Sequence, residues 1–159
     1  MRRIILPLVI IVMLTACSSI DCPLNSAVAT YYKLAGNITK LSDTLTISTT
    51  RNDGNDTVIL NRATAVDSFS LPMSHAAARD TFYFEVKRVG GATTIDTVRI
   101  AKEDHPHFES IDCSPAVFHK INGVEYTHNA LDSIVIKKTN VDYDYTKAHF
   151  HIYFKAADN

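Results

Sequence analysis

Phe82-Tyr83-Phe84-Glu85-Val86-Lys87 decides the fold. Phe82, Phe84 and Val86 occupy every second position, with Tyr83, Glu85 and Lys87 between them. Only a strand sends successive side chains to opposite faces, so this period of two is a half-buried strand. The same alternation recurs where Phe150, Ile152 and Phe154 interleave with His151, Tyr153 and Lys155. It recurs again where Leu45 and Ile47 interleave with Thr44, Thr46 and Ser48. β-Branched and aromatic residues dominate all three stretches, as a pleated, half-buried surface favours.

Working outward, further strands are expected at 28–34, 58–61, 68–71, 95–100, 108–113 and 131–137. Asn52-Asp53-Gly54-Asn55 and Gly90-Gly91 lie between strands and carry residues that tolerate positive φ, so both predict hairpins. Single helical turns are expected at 75–79, on Ala76, Ala77 and Ala78, and at 114–120, with Ser114 as cap and Pro115 at the first position. Short strands with frequent turns predict an all-β fold, a single antiparallel β-sandwich (Ig-like or jelly-roll-like) of about seven to nine strands.

The 159 residues are 46% hydrophobic and 21% charged, a composition that excludes disorder. Lys and Arg number 16 against 17 Asp and Glu, for a net charge of -1. With no basic block in the chain, nucleic acid is not an expected partner.

The N-terminus carries an address. Arg2 and Arg3 precede an apolar run from Ile4 to Leu14, broken only by Pro7. That run is shorter than the ~20 residues a spanning helix needs, and fits a secretory signal. Leu14-Thr15-Ala16-Cys17 resembles the lipobox of bacterial lipoproteins. The resemblance implies cleavage before Cys17, acylation of its thiol with palmitate-type chains, and acylation of the new amine. Residues 1–16 are then the signal peptide, 17–21 the anchor and tether, and 22–159 the sandwich domain. Residues 1–16 hold two arginines and no acid, so cleavage moves the net charge from -1 to -3. Two or three acyl chains anchor a protein stably where one does not. Residue 18 is Ser, not the Asp that retains many Gram-negative lipoproteins in the inner membrane. The expected address is therefore the outer membrane, on its periplasmic face, with the cell surface as the alternative. Four tether residues reach at most about 14 Å, which keeps the domain close to the bilayer.

With Cys17 lipidated, Cys22 and Cys113 remain in an oxidising compartment. A Cys22–Cys113 disulfide would close a loop of about 90 residues and contribute roughly 4 to 5 kcal/mol in the chain-entropy view. The alternative is two buried thiols. No C-x-x-C is present to make a redox-active pair.

The chain has no G-x-S-x-G, H-E-x-x-H, P-loop or S-x-x-K, and it reads as a protein without catalytic residues or cofactor. Two histidine pairs, His105/His107 and His149/His151, would offer four metal ligands if their strands were neighbours. Ordinary half-buried surface histidines are the plainer reading, and no metal residue is assigned. Tyr31, Tyr32, Tyr126, Tyr143, Tyr145 and Tyr153 suit a recognition surface for a protein or glycan, or ordinary packing. Asp43-Thr44-Leu45, Asp56-Thr57-Val58, Asp96-Thr97-Val98 and Asp132-Ser133-Ile134 read as turn-to-strand junctions. They also resemble the O-glycosylation acceptors of some Bacteroidetes.

Cys22-Pro23-Leu24-Asn25 after the lipobox, residues 69–73 (FSLPM) and residues 106–113 (PHFESIDC) form a recognisable set with residues 132–136 (DSIVI) and 150–154 (FHIYF). Together they resemble a family of small Bacteroidetes lipoproteins carrying a domain of unknown function. The resemblance implies an exported lipoprotein with one β-rich domain, and no activity to carry over. The expected function is a non-catalytic envelope interaction module that contacts the membrane through Cys17 and an envelope protein through its surface. A glycan- or metal-binding lipoprotein is the alternative.

Overall fold

The computed structural model describes Cys22, residues 27–51 and residues 54–156. The chain runs β1 (Ala29–Leu34), β2 (Thr44–Thr50), β3 (Asp56–Ala63), β4 (Ser68–Pro72), β5 (Arg79–Lys87), β6 (Thr93–His107), β7 (Ala116–Tyr126), β8 (Leu131–Ile136), β9 (Asn140–Val141) and β10 (Phe150–Phe154). A four-stranded sheet has the order β4-β1-β10-β8, and a six-stranded sheet the order β3-β2-β5-β6-β7-β9. The all-β sandwich is as expected, with ten strands among the described residues rather than seven to nine. One pairing departs from the antiparallel plan: β1 and β10 run parallel, with Tyr32 opposite Phe150 and Leu34 opposite Ile152.

Strand alternation builds the core. Leu45, Ile47, Phe82, Phe84, Val86, Val98 and Ile100 bury one face of the large sheet. Tyr32, Leu34, Leu71, Phe150 and Ile152 bury the facing side of the small one. The Tyr32 ring stacks between Phe69 and Phe150, with centroids 4.9 Å from each. Its buried hydroxyl accepts a hydrogen bond from Thr30 Oγ1 at 3.2 Å, so the polar tip is not stranded.

Both expected hairpins form, between β2 and β3 and between β5 and β6. Gly54 (φ 81°) and Gly90 (φ 70°) take the left-handed conformations that these turns require. The turn at 88–92 and the β6–β7 connection at 108–115 lie at opposite ends of β6. Fifteen residues of strand separate those ends by roughly 45 Å.

Three local expectations are corrected. Residues 114–120 do not form a helical turn: β7 starts at Ala116 and pairs with β6 from Ala116 opposite His107. Ser114-Pro115 mimics a helix start, but Val117, Phe118 and Ile121 find partners in a strand, and tertiary pairing overrides the cap signal. Residues 108–113 are a loop, not a strand, because β6 already ends at His107. Residues 75–78 are bends, and Arg79 opens β5.

Candidate functional site

On β5 the inward parity carries Asp80 as well as Phe82, Phe84 and Val86, while the outward parity carries Arg79, Thr81 and Tyr83. Arg99 of β6 lies opposite Thr81, and Glu125 of β7 lies opposite Arg99. Arg51 follows the end of β2. These strands form an open depression of about 830 Å³ on the large sheet, lined by Arg51, Arg79, Arg99, Tyr83 and threonines 49, 50 and 81, with the carboxylate of Asp80 also in its lining. Arg79 makes an exposed ion pair with Glu125 at 3.3 Å. Thr49 Oγ1 donates to the Thr81 carbonyl (2.7 Å), and Thr50 Oγ1 to Asp56 (2.8 Å), so the hydroxyl wall is fixed.

Behind this depression lies a buried ionic cluster. On β6 the inward parity runs Asp96, Val98, Ile100, Lys102, and the Lys102 side chain is fully buried. Its Nζ donates to the Ser74 and Ala77 carbonyls (2.8 Å for Ala77) and to Asp104 Oδ1 (2.9 Å), and lies 4.0 Å from Asp80 Oδ2. Lys102 thereby pins residues 74–77, which wall the depression, against the sheet. The Ser74 N–H donates to Asp80 Oδ2 at 3.3 Å. His119 Nδ1–H donates to Asp104 Oδ1 at 2.7 Å.

Two carboxylates compete for one ammonium, and their environments separate them. Burial pushes Asp80 up to about 6, against the pull of Lys102 and the Ser74 N–H. Asp104 is also raised by desolvation, but hydrogen bonds from Lys102 and His119 outweigh this and hold it below the usual carboxylate range. Burial lowers His119 despite its bond to Asp104, which keeps the ring neutral at pH 7.

The histidine pairs do not converge. His105 and His107 lie on β6 in the large sheet, whereas His151 lies on β10 in the small one. His107 stacks on Phe118 with centroids 4.2 Å apart and pairs with Glu109 at 2.9 Å. His149 is buried and accepts the Tyr31 backbone N–H on Nδ1 at 2.8 Å, so it does not share an open face with His151. Among the described residues no group of three or more His, Cys, Asp or Glu is placed to hold a metal. The expectation that the two pairs could form a four-ligand metal site is therefore corrected: the pairs lie on different sheets.

The tyrosines also divide. Tyr32 is core, and Tyr143 packs edge-on against Phe118 at 5.0 Å. Lys138 Nζ donates to Asp142 Oδ1 (2.8 Å) and Asp144 Oδ2 (3.1 Å), which staples the 142–145 loop. Tyr83, in the arginine depression, was not among the recognition candidates. Of the Asp-Thr/Ser junctions, Asp43 and Asp96 are buried. Asp43 accepts from Arg88 (3.3 Å) and from the Val89 N–H (3.1 Å).

Cys22 and Cys113 form a disulfide, with Cα atoms 5.5 Å apart. Cys17 lies outside the described residues. Residues 1–18 match the prokaryotic membrane lipoprotein lipid attachment site, so the chain is a membrane-anchored lipoprotein. No curated protein and no solved structure matches the chain. What does match is the stretch from β2 to the end of β10, residues 44–154, and by it the chain belongs to the family of unknown function DUF6452.

Proposed function

We propose that this lipoprotein is a non-catalytic interaction module of the outer membrane, held on the periplasmic face, and that it binds an acidic protein surface. The observation that carries this reading is the depression lined by Arg51, Arg79 and Arg99 beside Tyr83. Guanidinium groups present planar forks that match carboxylates in pairs, and tyrosine adds contact area at small entropy cost. The three arginines outnumber the carboxylates beside them, Asp80 in the lining and Glu125 paired with Arg79, on a chain whose net charge is -3 once residues 1–16 are removed, so the excess of cations favours an acidic partner at this face. An open depression suits a protein rim better than a small substrate, which is held in enclosed clefts. The polar groups behind it are engaged with one another: Lys102 with Asp104, Asp104 with His119. Ser18 in place of Asp supports the outer membrane, and the resemblance to Bacteroidetes lipoproteins fits that address.

The test is crosslinking of the lipidated protein in intact envelopes, comparing wild type with Arg79→Glu/Arg99→Glu and with Cys17→Ala. The expected result is a partner whose yield falls at least about tenfold on charge reversal, as for buried interface arginines. A partner set unchanged by the reversal would sink the reading. Arginine-dependent capture of an acidic glycan in place of a protein would replace it with the glycan-binding alternative.

A further inference from the structure

The loop at 108–113 is covalently tied to the anchored end of the chain. Cys113 is bonded to Cys22, with Cα atoms 5.5 Å apart, and Cys22 follows the lipid attachment residue by five positions. Five residue steps span at most about 18 Å, so this loop is held beside the bilayer surface. It exposes two large apolar side chains, Phe108 at 68% and Ile111 at 101% of their full accessible surface. The Cys113 N–H donates to the Ser110 carbonyl at 3.2 Å, and this turn places Ile111 at the tip. Among the described residues Val89 (81%), Val58 (53%) and Ile95 (51%) are the other large apolar side chains more than half exposed, and Val89 lies in the turn at the far end of β6.

We infer that the Phe108–Cys113 loop is a second membrane contact, in which Phe108 and Ile111 enter the bilayer interface and orient the sandwich on its anchor. The occupant is the lipid surface itself, because the anchor and the disulfide bring that apolar phase to this loop. Lipid attachment makes the encounter intramolecular, so a weak contact is enough to fix orientation. Glu109 lies between Phe108 and Ile111, Asp112 follows them, and the loop has no Lys or Arg. The contact is therefore apolar insertion rather than attraction to anionic headgroups, and a zwitterionic surface is the right probe. With this end down, the turn at Val89 points away from the membrane.

The chain contains no Trp, so a single introduced one reports its own surroundings. Phe108→Trp, Ile111→Trp and Val89→Trp are made in the lipidated protein and reconstituted into phosphatidylcholine vesicles, with and without brominated acyl chains. Insertion of an interfacial side chain by ~5–10 Å brings it within contact of the brominated positions. Emission from Phe108→Trp and Ile111→Trp should be blue-shifted and fall about twofold on brominated lipid, while Val89→Trp stays unchanged. Quenching no greater than that of Val89→Trp overturns the proposal. So does a blue shift without quenching, which would place the loop against protein. If Phe108→Trp prevents the Cys22–Cys113 bond from forming, Ile111→Trp decides, because that side chain is fully exposed.

Discussion

The sandwich buries aspartates at both ends, and two of them, Asp96 and Asp80, are satisfied in opposite ways. At the end far from the anchor, Asp96 accepts four hydrogen bonds: from the N–H groups of Asn129 (2.6 Å), Ala130 (2.7 Å) and Leu131 (2.9 Å), and from Thr127 Oγ1 (2.7 Å). Its donors are fixed dipoles of the β7–β8 connection, and no opposite charge is required. At the end near the anchor, Asp80 and Asp104 share the ammonium of Lys102. The shared donor there is one buried ammonium, joined by the Ser74 N–H on Asp80 and the His119 ring N–H on Asp104, and two carboxylates exceed its charge. A buried carboxylate held by main-chain dipoles is a permanent joint. One held by a shared cation is a joint whose strength changes with protonation.

The difference is testable by removing the central group at each end. Asp96→Ala strands three backbone donors, and two of those residues, Ala130 and Leu131, are buried. At 1–3 kcal/mol per stranded donor, the expected loss is about 4 to 5 kcal/mol in urea unfolding at pH 7. Lys102→Met leaves two carboxylates without their cation and should cost about 3 kcal/mol at pH 7. That loss is smaller because stranded carboxylates can take up protons, whereas stranded N–H groups have no such escape. The Lys102→Met deficit should therefore shrink between pH 7 and pH 5. A deficit that stays constant over that range would show that Asp80 and Asp104 do not take up protons when the cation is gone.

Much of this contrast was legible in the sequence and part was not. The alternation that makes β5 a strand places Asp80 on the parity of Phe82 and Phe84, and that of β6 places Asp96 and Lys102 on the parity of Val98 and Ile100. Charged residues on a core face are a signal that period-two reading contains, and it is the signal that would have found the cluster. The hairpins at Gly54 and Gly90 were legible because positive φ restricts residue choice locally. The parallel β1–β10 pairing was not, because partners some 120 residues apart leave no local trace. The arginine depression was hidden for the same reason, since Arg51, Arg79 and Arg99 meet only once three strands are aligned. The Cys22–Cys113 bond was reachable by counting cysteines, whereas the exposure of Phe108 and Ile111 beside it was not. Their loop reads as an apolar strand until β6 is seen to end at His107.

The smallest effect isolates the proton itself. Asp80 has its carboxyl raised from 3.8 to about 6 in the fold, mainly by burial. A raised carboxyl favours the folded state most when protonated, so its contribution is full below pH 3.8 and is lost as pH rises through about 6. Two units correspond to just under 3 kcal/mol, and screening at a site close to the surface reduces the expected swing to about 2 kcal/mol. Asp80→Asn fixes the neutral form, and its amide oxygen can still accept the Ser74 N–H. The variant should match wild type near pH 4 and exceed it by about 2 kcal/mol at pH 7 in urea unfolding. His119 and His149 act the other way, because burial lowers both and their contribution is lost as pH falls below 6.5. The quantity to follow is therefore the difference between variant and wild type, in which those histidines largely cancel. His119 cancels only to the extent that the Asp104 carboxylate between it and Lys102 is undisturbed. A difference that is flat from pH 4 to pH 7 would mean that Asp80 keeps its charge throughout. The end near the anchor would then be as permanent a joint as Asp96.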